Sequence, residues 1–240
     1  MIFTTSLALI ALVAGAVASL AGFGIGSLLT PLLALKTGIG VAVAAIAIAH
    51  FIGTSLRFFI LRASVNKRVL LSFGLASAAG GLTGALLHNT FNNSLLGVIF
   101  GCLLIIAGVS EITGLAGKIQ IKGPLSWFSG ALSGLFGGLV GNQGGIRSAA
   151  LTGFNLGKDE FVATATGIAL MVDFARIPVY LAVQGRELIP IWYLITIVTI
   201  GVIVGTLFGK RILQRLSQEA FTKTVGVVLF GIGLLILIRI

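Results

Sequence analysis

Charged residues are scarce in this sequence, and acidic residues are the scarcest. Of the 240 residues, 9% are charged and 57% are hydrophobic, and only six are Asp or Glu. The mean hydropathy is +1.15. Soluble domains carry about 25% charged residues, so the composition excludes an ordinary soluble domain. Apolar runs of about 20 residues follow one another, and each can cross a bilayer core. The sequence therefore predicts an all-α polytopic membrane protein.

Cysteine, histidine and deeply placed carboxylates are also rare, which limits the available chemistry. The single Cys102 lies in an apolar run, so a disulfide framework and a metal–thiolate site are excluded. The two histidines are His50, within an apolar run, and His88, at the edge of a loop. Asp173 is the one carboxylate deep in an apolar run, which excludes a protease with paired aspartates. We expect no metal, no cofactor and no enzymatic activity, although the sequence alone leaves a serine–histidine pair open.

The net charge of +10 does not indicate nucleic acid. Most basic residues lie in short loops between apolar runs, where the positive-inside rule expects them. No Lys or Arg precedes the first apolar run, which continues past residue 30. This pattern favours a retained membrane segment over a signal peptide. We expect a multi-pass protein of the cell (inner) membrane, with the lipid bilayer as its surroundings.

Short links with turn residues, such as Gln184-Gly185-Arg186, separate the apolar units. No link is long enough to separate domains, so residues 1–240 are predicted to form a single membrane domain. The eight units are 4–35, 40–62, 69–87, 94–115, 124–154, 160–183, 188–209 and 220–238. They fall into two repeats of four units, over residues 4–115 and 124–240.

A glycine cluster interrupts the first unit of each repeat. The clusters are Gly22-Phe23-Gly24-Ile25-Gly26 and Gly141-Asn142-Gln143-Gly144-Gly145. Residues 4–35 as one straight helix would be about 48 Å long, too long for one upright crossing of the membrane. Each unit is therefore a tilted broken span or a re-entrant hairpin, because non-helical backbone at membrane depth must be buried in protein or line a cavity.

The distribution of basic residues in the loops favours a re-entrant second hairpin. If all eight units cross, the two membrane faces carry seven and six basic loop residues. If the unit at 124–154 returns to the face it entered from, the tally becomes ten against three. The ten are Arg62, Lys67, Arg68, Lys118, Lys122, Lys158, Lys210, Arg211, Arg215 and Lys223; the three are Lys36, Arg186 and Arg239. The positive-inside rule then places the loops at 63–68 and 210–219 in the cytoplasm and makes the repeats inverted. Eight plain spans remain the alternative.

Three arginines deep in apolar segments suggest an anion site. An arginine at the centre of a membrane helix costs about 2.5–3.5 kcal/mol to insert, so Arg57, Arg147 and Arg176 need a reason. Arg57 and Arg176 are 119 positions apart and correspond in the two repeats. A guanidinium matches an oxyanion with two parallel donors, and the helix starts at the breaks favour negative charge. Two alternatives stay open: Arg57 reaches the cytoplasmic interface, or Arg176 only neutralises Asp173.

The predicted site combines these arginines with the residues of the two breaks. The predicted substrate contacts are Gly24, Gly26, Ser27, Thr30, Arg57, Asn142, Gln143, Gly144, Gly145, Arg147 and Arg176. His50 and Asp173, both within apolar runs, are candidates for carrying a coupling proton. Duplicated halves with interrupted helices are typical of secondary transporters, in which the site lies near the bilayer midplane. A small anion is the predicted partner.

The glycine pattern at the first break also resembles that of a known family. The sequence resembles the TauE/SafE family of membrane permeases in the pattern Ala21-Gly22-Phe23-Gly24-Ile25-Gly26-Ser27-Leu28-Leu29-Thr30-Pro31. The pattern is repeated in weaker form around Gly137-Gly138 and Gly141–Gly145. The resemblance covers essentially the whole chain. It implies transport, often export, of a small anion such as sulfite, thiosulfate or an organosulfonate.

A carrier that works by alternating access is the function that these patterns favour. An anion channel is the alternative, and an intramembrane enzyme is the third class that we considered. Glycines recur at intervals of four residues, as at Gly80/Gly84, Gly97/Gly101 and Gly201/Gly205/Gly209. Such ridges allow close packing of helices. They fit contacts within the chain and also a homodimer.

Overall fold

A computed structural model describes residues 2–115, 121, 124–213 and 218–239. The α-helices are α1 (Ile2–Ala21), α2 (Ile25–Thr37), α3 (Ile39–Leu61), α4 (Lys67–His88), α5 (Asn93–Thr113), α6 (Pro124–Val140), α7 (Gly144–Thr152), α8 (Lys158–Leu188), α9 (Trp192–Leu213) and α10 (Gln218–Arg239). Lys118, Lys122 and Arg215, which the charge tally includes, lie outside the described residues. So does part of the predicted cytoplasmic loop at 210–219.

The helices have the length and hydropathy of membrane spans. Within the described ranges, five helical segments are long and apolar enough to cross a membrane: Ile2–Ala21, Ile39–Ser64, Lys67–His88, Asn93–Thr113 and Lys158–Gly209. The last of these contains both α8 and most of α9. Two further apolar helices, Ile25–Thr37 and Leu125–Val140, are shorter. The prediction of an all-α polytopic membrane protein is therefore confirmed.

One predicted link between units is wrong. Gln184-Gly185-Arg186 was expected to be a turn, but α8 continues through it to Leu188. Gln184 is buried, and its side chain donates to Asn89 Oδ1 at 3.2 Å. Gln184 therefore faces the interior of the bundle and does not lie in a loop.

Both glycine clusters interrupt a helix at a left-handed glycine. Helix α1 ends at Ala21 and α2 begins at Ile25; α6 ends at Val140 and α7 begins at Gly144. The residues after the two helix ends, Gly22 and Gly141, have φ of 79° and 76°. This backbone region strongly favours glycine because it lacks Cβ. The positions are 119 residues apart, the spacing that the sequence predicts for the repeat.

Each interrupted pair of helices returns to its starting side. The ammonium of Lys36, at the end of α2, lies 5.5 Å from the centre of the Phe3 ring at the start of α1. Gly153, just after α7, packs on the backbone of Ile121, which precedes α6. We call α1–α2 the first hairpin and α6–α7 the second hairpin. Neither hairpin carries the chain across the bundle.

The loop after α3 lies beside the start of α8. Asn66 Nδ2 donates to Glu160 Oε1 at 2.8 Å, and the Asn66 amide donates to Thr164 Oγ1 at 2.9 Å. Eight plain spans would place residues 66 and 160 on opposite faces of the membrane. A returning second hairpin places them on the same face, in agreement with their contact.

Glycines set the direction in which the helices pair. Gly201 packs on Ala8 and Gly209 on Ala16, so α1 and α9 run parallel. The same geometry recurs between α6 and α4, because Gly130 packs on Phe73 and Gly138 packs on Ala85. Each hairpin thus lies against a helix of the other half of the chain. The contact of α1 with α9 and the contact of α6 with α4 therefore have the same geometry.

The remaining central pairs are antiparallel. Gly101 faces Gly233 and Gly108 faces Gly226, so α5 and α10 run in opposite directions. Helices α3 and α8 also run in opposite directions and form the centre of the bundle. The predicted glycine ridges at 80/84, 101 and 201/205/209 therefore pack on helices of the same chain. A homodimer stays a prediction.

Side-specific labelling tests this arrangement. We expect Ser64→Cys and Gly157→Cys, each in a Cys102→Ser background, to react with an impermeant thiol reagent from the same side of the membrane. Thr90→Cys, beyond the other end of α4, should react from the opposite side. The positive-inside rule predicts that residues 64 and 157 face the cytoplasm. Comparing intact cells with inverted vesicles measures this, and reaction of residues 64 and 157 from opposite sides would contradict the fold.

Candidate functional site

The two helix breaks meet inside the protein. Ser27 Oγ donates to Asn142 Oδ1 at 3.1 Å, and Gly26 lies against the Gly141 carbonyl. Helices α2 and α7 both start beside this contact. The first amides of a helix have no partner within it and form the positive end of its dipole. Two helix starts from different halves of the chain therefore meet at one place.

Arg57 is buried beside the breaks, with part of its guanidinium free. Its side chain is 2% exposed, and Nε donates to Thr166 Oγ1 at 2.9 Å. The two terminal nitrogens, Nη1 and Nη2, have no hydrogen-bond partner in the described protein. The Arg57 guanidinium therefore lies inside the helical bundle, enclosed by protein.

Arg147 extends from α7 to the first hairpin. It is 1% exposed, and Nη2 donates to the Gly22 carbonyl at 3.2 Å. Its Nε and Nη1 are buried and lack a partner among the described residues. Arg147 thus links the two breaks and retains donors that a ligand would satisfy.

Arg176, Asp173 and His50 form a buried network. Asp173 Oδ1 accepts from Arg176 Nε at 3.0 Å and forms an ion pair with Nη2 at 2.8 Å. The other carboxylate oxygen, Oδ2, lies 2.5 Å from His50 Nδ1. The remaining Arg176 nitrogen, Nη1, donates to the Gly137 carbonyl. The structure thus has the pairing of Arg176 with Asp173 that the sequence left as an alternative.

Positive charge is in excess at this place. Arg57, Arg147 and Arg176 are each at most 2% exposed, and Asp173 is the one carboxylate buried among the described side chains. Charge–charge interactions connect Arg57 with Arg147, and both with Asp173. An uncompensated buried charge is strongly unfavourable. The arrangement therefore favours a bound anion.

The other predicted contacts are buried or packed beside the breaks, and two of them carry polar atoms without a partner among the described residues. Thr30 is fully buried, and its hydroxyl lacks a partner in the described part of the chain. Gln143 is 5% exposed; its backbone carbonyl accepts from Ser133, whereas its Oε1 has no partner within the described ranges. Gly24 packs on Val17 of α1. These residues line the break but make no mutual hydrogen bond that brings all of them together.

Two of the predicted glycines pack on neighbouring helices. Gly144 lies against the Phe23 side chain, and Gly145 faces Ala107 of α5. Gly144 therefore brings α7 close to the first hairpin, whereas Gly145 faces away from it.

Several polar residues near the site were not among the predicted contacts. Thr166 accepts from Arg57, and the Tyr180 hydroxyl donates to the Gly138 carbonyl. His88, expected at a loop edge, is the last residue of α4 and is 1% exposed. A usable signal existed for Tyr180, which follows Arg176 by four residues and so shares its helix face. No local signal marked His88, because its partners come from α6 and α8.

Interrupted helices that meet at a buried, charged centre are typical of membrane transporters. The sequence matches the family described as Sulfite exporter TauE/SafE over residues 7–236. The chain belongs to this family of membrane transporters, as its glycine pattern predicts. Comparisons with curated proteins and with solved structures gave no match.

The contact between the breaks predicts the effect of a single methyl group. A Cβ on Gly26 would overlap the Gly141 carbonyl oxygen, so Gly26→Ala should force the breaks apart and lower anion flux by about tenfold or more. Gly185→Ala is the matched control, because Gly185 is helical and a Cβ there meets nothing within 4 Å. Flux into proteoliposomes measures the effect, with size-exclusion chromatography to verify folding. Equal flux from both variants would remove Gly26 from the site.

Proposed function

We propose that this protein is a secondary transporter for a small sulfur oxyanion or organosulfonate. The anion binds between the starts of α2 and α7, beside Arg147, which contacts the first break, and Arg57, which belongs to the same buried group of charges. The observation that carries the proposal is the set of four guanidinium nitrogens on these two buried arginines that have no partner among the described residues. A bound oxyanion supplies both the missing acceptors and the missing negative charge.

The chemistry of the donors fits a sulfur oxyanion. Sulfite and sulfonate groups present three oxygens, and a guanidinium offers a planar fork of donors to two of them at once. The guanidinium stays protonated at neutral pH, so Arg57 and Arg147 keep their positive charges there. Ser27, Thr30 and Gln143 contribute further polar groups at the breaks. The family's description as sulfite exporters supports the same class of substrate.

Arg176 contributes to this site in a different way. Its donors are directed to Asp173 and to Gly137, so its effect on the anion is mainly electrostatic and positional. His50 and Asp173 are 6% and 0% exposed and only 2.5 Å apart. Together they are the proposed carriers of a coupling proton, because a proton added there changes the charge beside the anion.

Alternating access follows from the proposed inverted repeat. In the proposed repeat, α1 corresponds to α6 and α4 corresponds to α9, so the parallel pairs α1–α9 and α4–α6 are equivalent. Helix α3 corresponds to α8 and α5 to α10, and the two helices of each of these pairs pack on each other in opposite directions. Two such halves can open the central site to one side and then to the other. We place the protein in the inner membrane with both termini outside.

Flux and counterflow in proteoliposomes test the function. The panel contains sulfite, thiosulfate, sulfoacetate, a simple carboxylate and chloride. We expect saturable uptake of at least one sulfur anion and accelerated exchange against the same anion inside. Uptake that does not saturate and shows no counterflow would indicate an anion channel. No interaction with any member of the panel, by flux or thermal shift, would overturn the proposed substrate class.

A further inference from the structure

Three buried side chains bind three consecutive backbone carbonyls at the end of α6. Arg176 Nη1 donates to the Gly137 carbonyl, the Tyr180 hydroxyl to the Gly138 carbonyl, and His88 Nδ1 to the Leu139 carbonyl at 2.6 Å. We call this set of three side chains the α6 clamp. It comes from α4 and α8, and it holds the last turn of α6 directly before the second break.

The α6 clamp satisfies groups that a helix end leaves open. The Gly137 carbonyl also accepts from the Gly141 amide at 3.1 Å. The carbonyls of Gly138 and Leu139, in the last turn of the helix, have no donor within it, and a buried carbonyl without a donor is costly. Tyr180 and His88 are each 1% exposed, so water does not replace them. Their rings lie 5.4 Å apart, and the Arg176 guanidinium lies 5.9 Å from the Tyr180 ring centre. The three side chains therefore also position one another.

We propose that Tyr180 and His88 are positioning residues for the anion site. By holding residues 137–139 they fix where α6 ends, and so where Asn142, Gln143 and the start of α7 lie. A ligand gains affinity when its binding groups are already ordered. The inference rests on the proposed function, because its main readout is anion affinity.

The first break is held differently. Its Gly22 carbonyl accepts from Arg147, which is itself a proposed anion ligand. An anion on the two unpartnered nitrogens of Arg147 therefore binds the same guanidinium that holds the first break, whereas Tyr180 and His88 hold the second break without using those donors.

Tyr180→Phe tests the clamp, because it removes one hydroxyl and keeps the ring. Losing one hydrogen bond should weaken apparent anion affinity by about three- to tenfold, with a much smaller change in the maximal rate. Hydrogen exchange of residues 137–147 should become faster, while exchange in α5 stays unchanged. Tyr193→Phe is the matched control: Tyr193 is exposed, and its hydroxyl accepts from Lys36 at 3.1 Å.

His88 provides an independent pair of variants. His88→Gln keeps a donor for the Leu139 carbonyl and should retain more of the affinity than His88→Leu. Tyr180→Phe with the anion affinity of the wild type and with wild-type hydrogen exchange of residues 137–147 would overturn the positioning role. Equal anion affinity in the two His88 variants would also overturn it. If no sulfite, thiosulfate or sulfoacetate binds the wild type but exchange of residues 137–147 rises in Tyr180→Phe, the clamp stands and the proposed substrate class fails.

Discussion

Replacing Arg147 with glutamine should weaken anion binding roughly ten- to a hundredfold, and Arg57→Gln should have a similar effect. Each change removes a charged donor to an oxyanion, which is worth about 1.5–3 kcal/mol. Both arginines are buried and carry two unpartnered nitrogens each in the described structure. Binding of sulfite, thiosulfate or sulfoacetate to purified protein, followed by flux, measures the loss.

Three comparisons make this prediction specific. Arg62→Gln is the matched control, because Arg62 lies at the exposed end of α3 and should leave affinity unchanged. Arg147→Lys should recover affinity only in part, since an ammonium cannot make the two-pronged contact. Without anion, Arg57→Gln should not lower thermal stability, because it removes a buried charge that lacks a full partner. Wild-type affinity in both glutamine variants would defeat the anion-site proposal.

Asp173→Asn should destabilise the protein by about 3–5 kcal/mol. The carboxylate accepts from Arg176 on one oxygen and contacts His50 on the other, and removing one partner of a buried ion pair leaves an uncompensated charge. Thermal unfolding in detergent measures the change. Asp159→Asn, in the exposed first turn of the same helix, is the control and should have a small effect. A melting temperature equal to that of the wild type would contradict the network.

The double variant Asp173→Asn/Arg176→Gln separates the two roles of Arg176. Removing both charges should restore much of the stability, because neither group is left as an unpaired ion. Transport should remain at least about tenfold reduced, since Arg176 also holds the Gly137 carbonyl and contributes to the field at the site. Wild-type transport by this variant would reduce Arg176 to a counter-ion for Asp173.

The class of fold was predictable from local features. Long apolar runs identify helices that cross a bilayer, and the glycine clusters identify the breaks because a left-handed φ favours glycine. Gly22 and Gly141 have this conformation, 119 residues apart. The glycine pattern also pointed to the family that the match over residues 7–236 shows.

The contacts at the site were not predictable in the same way. Arg57 binds Thr166, Arg147 binds Gly22, and the residues of each pair are more than 100 positions apart. Such contacts depend on how α3, α7 and α8 are oriented, which periodicity does not determine. His88 shows the same difficulty: its place at the end of an apolar run suggests a loop, but its partner lies on α6.

The excess of arginines over carboxylates has an electrical consequence. With His50 neutral, Arg57, Arg147 and Arg176 exceed Asp173 by two positive charges in the buried centre. Moving one elementary charge through a membrane potential of 100 mV changes the free energy by about 2.3 kcal/mol. A bound monovalent anion cancels one of the two charges, so the empty and loaded carriers respond to voltage by different amounts. In the proposed alternating-access cycle with a monovalent anion, membrane potential would therefore act most strongly on the return of the empty carrier and favour exchange of one anion for another.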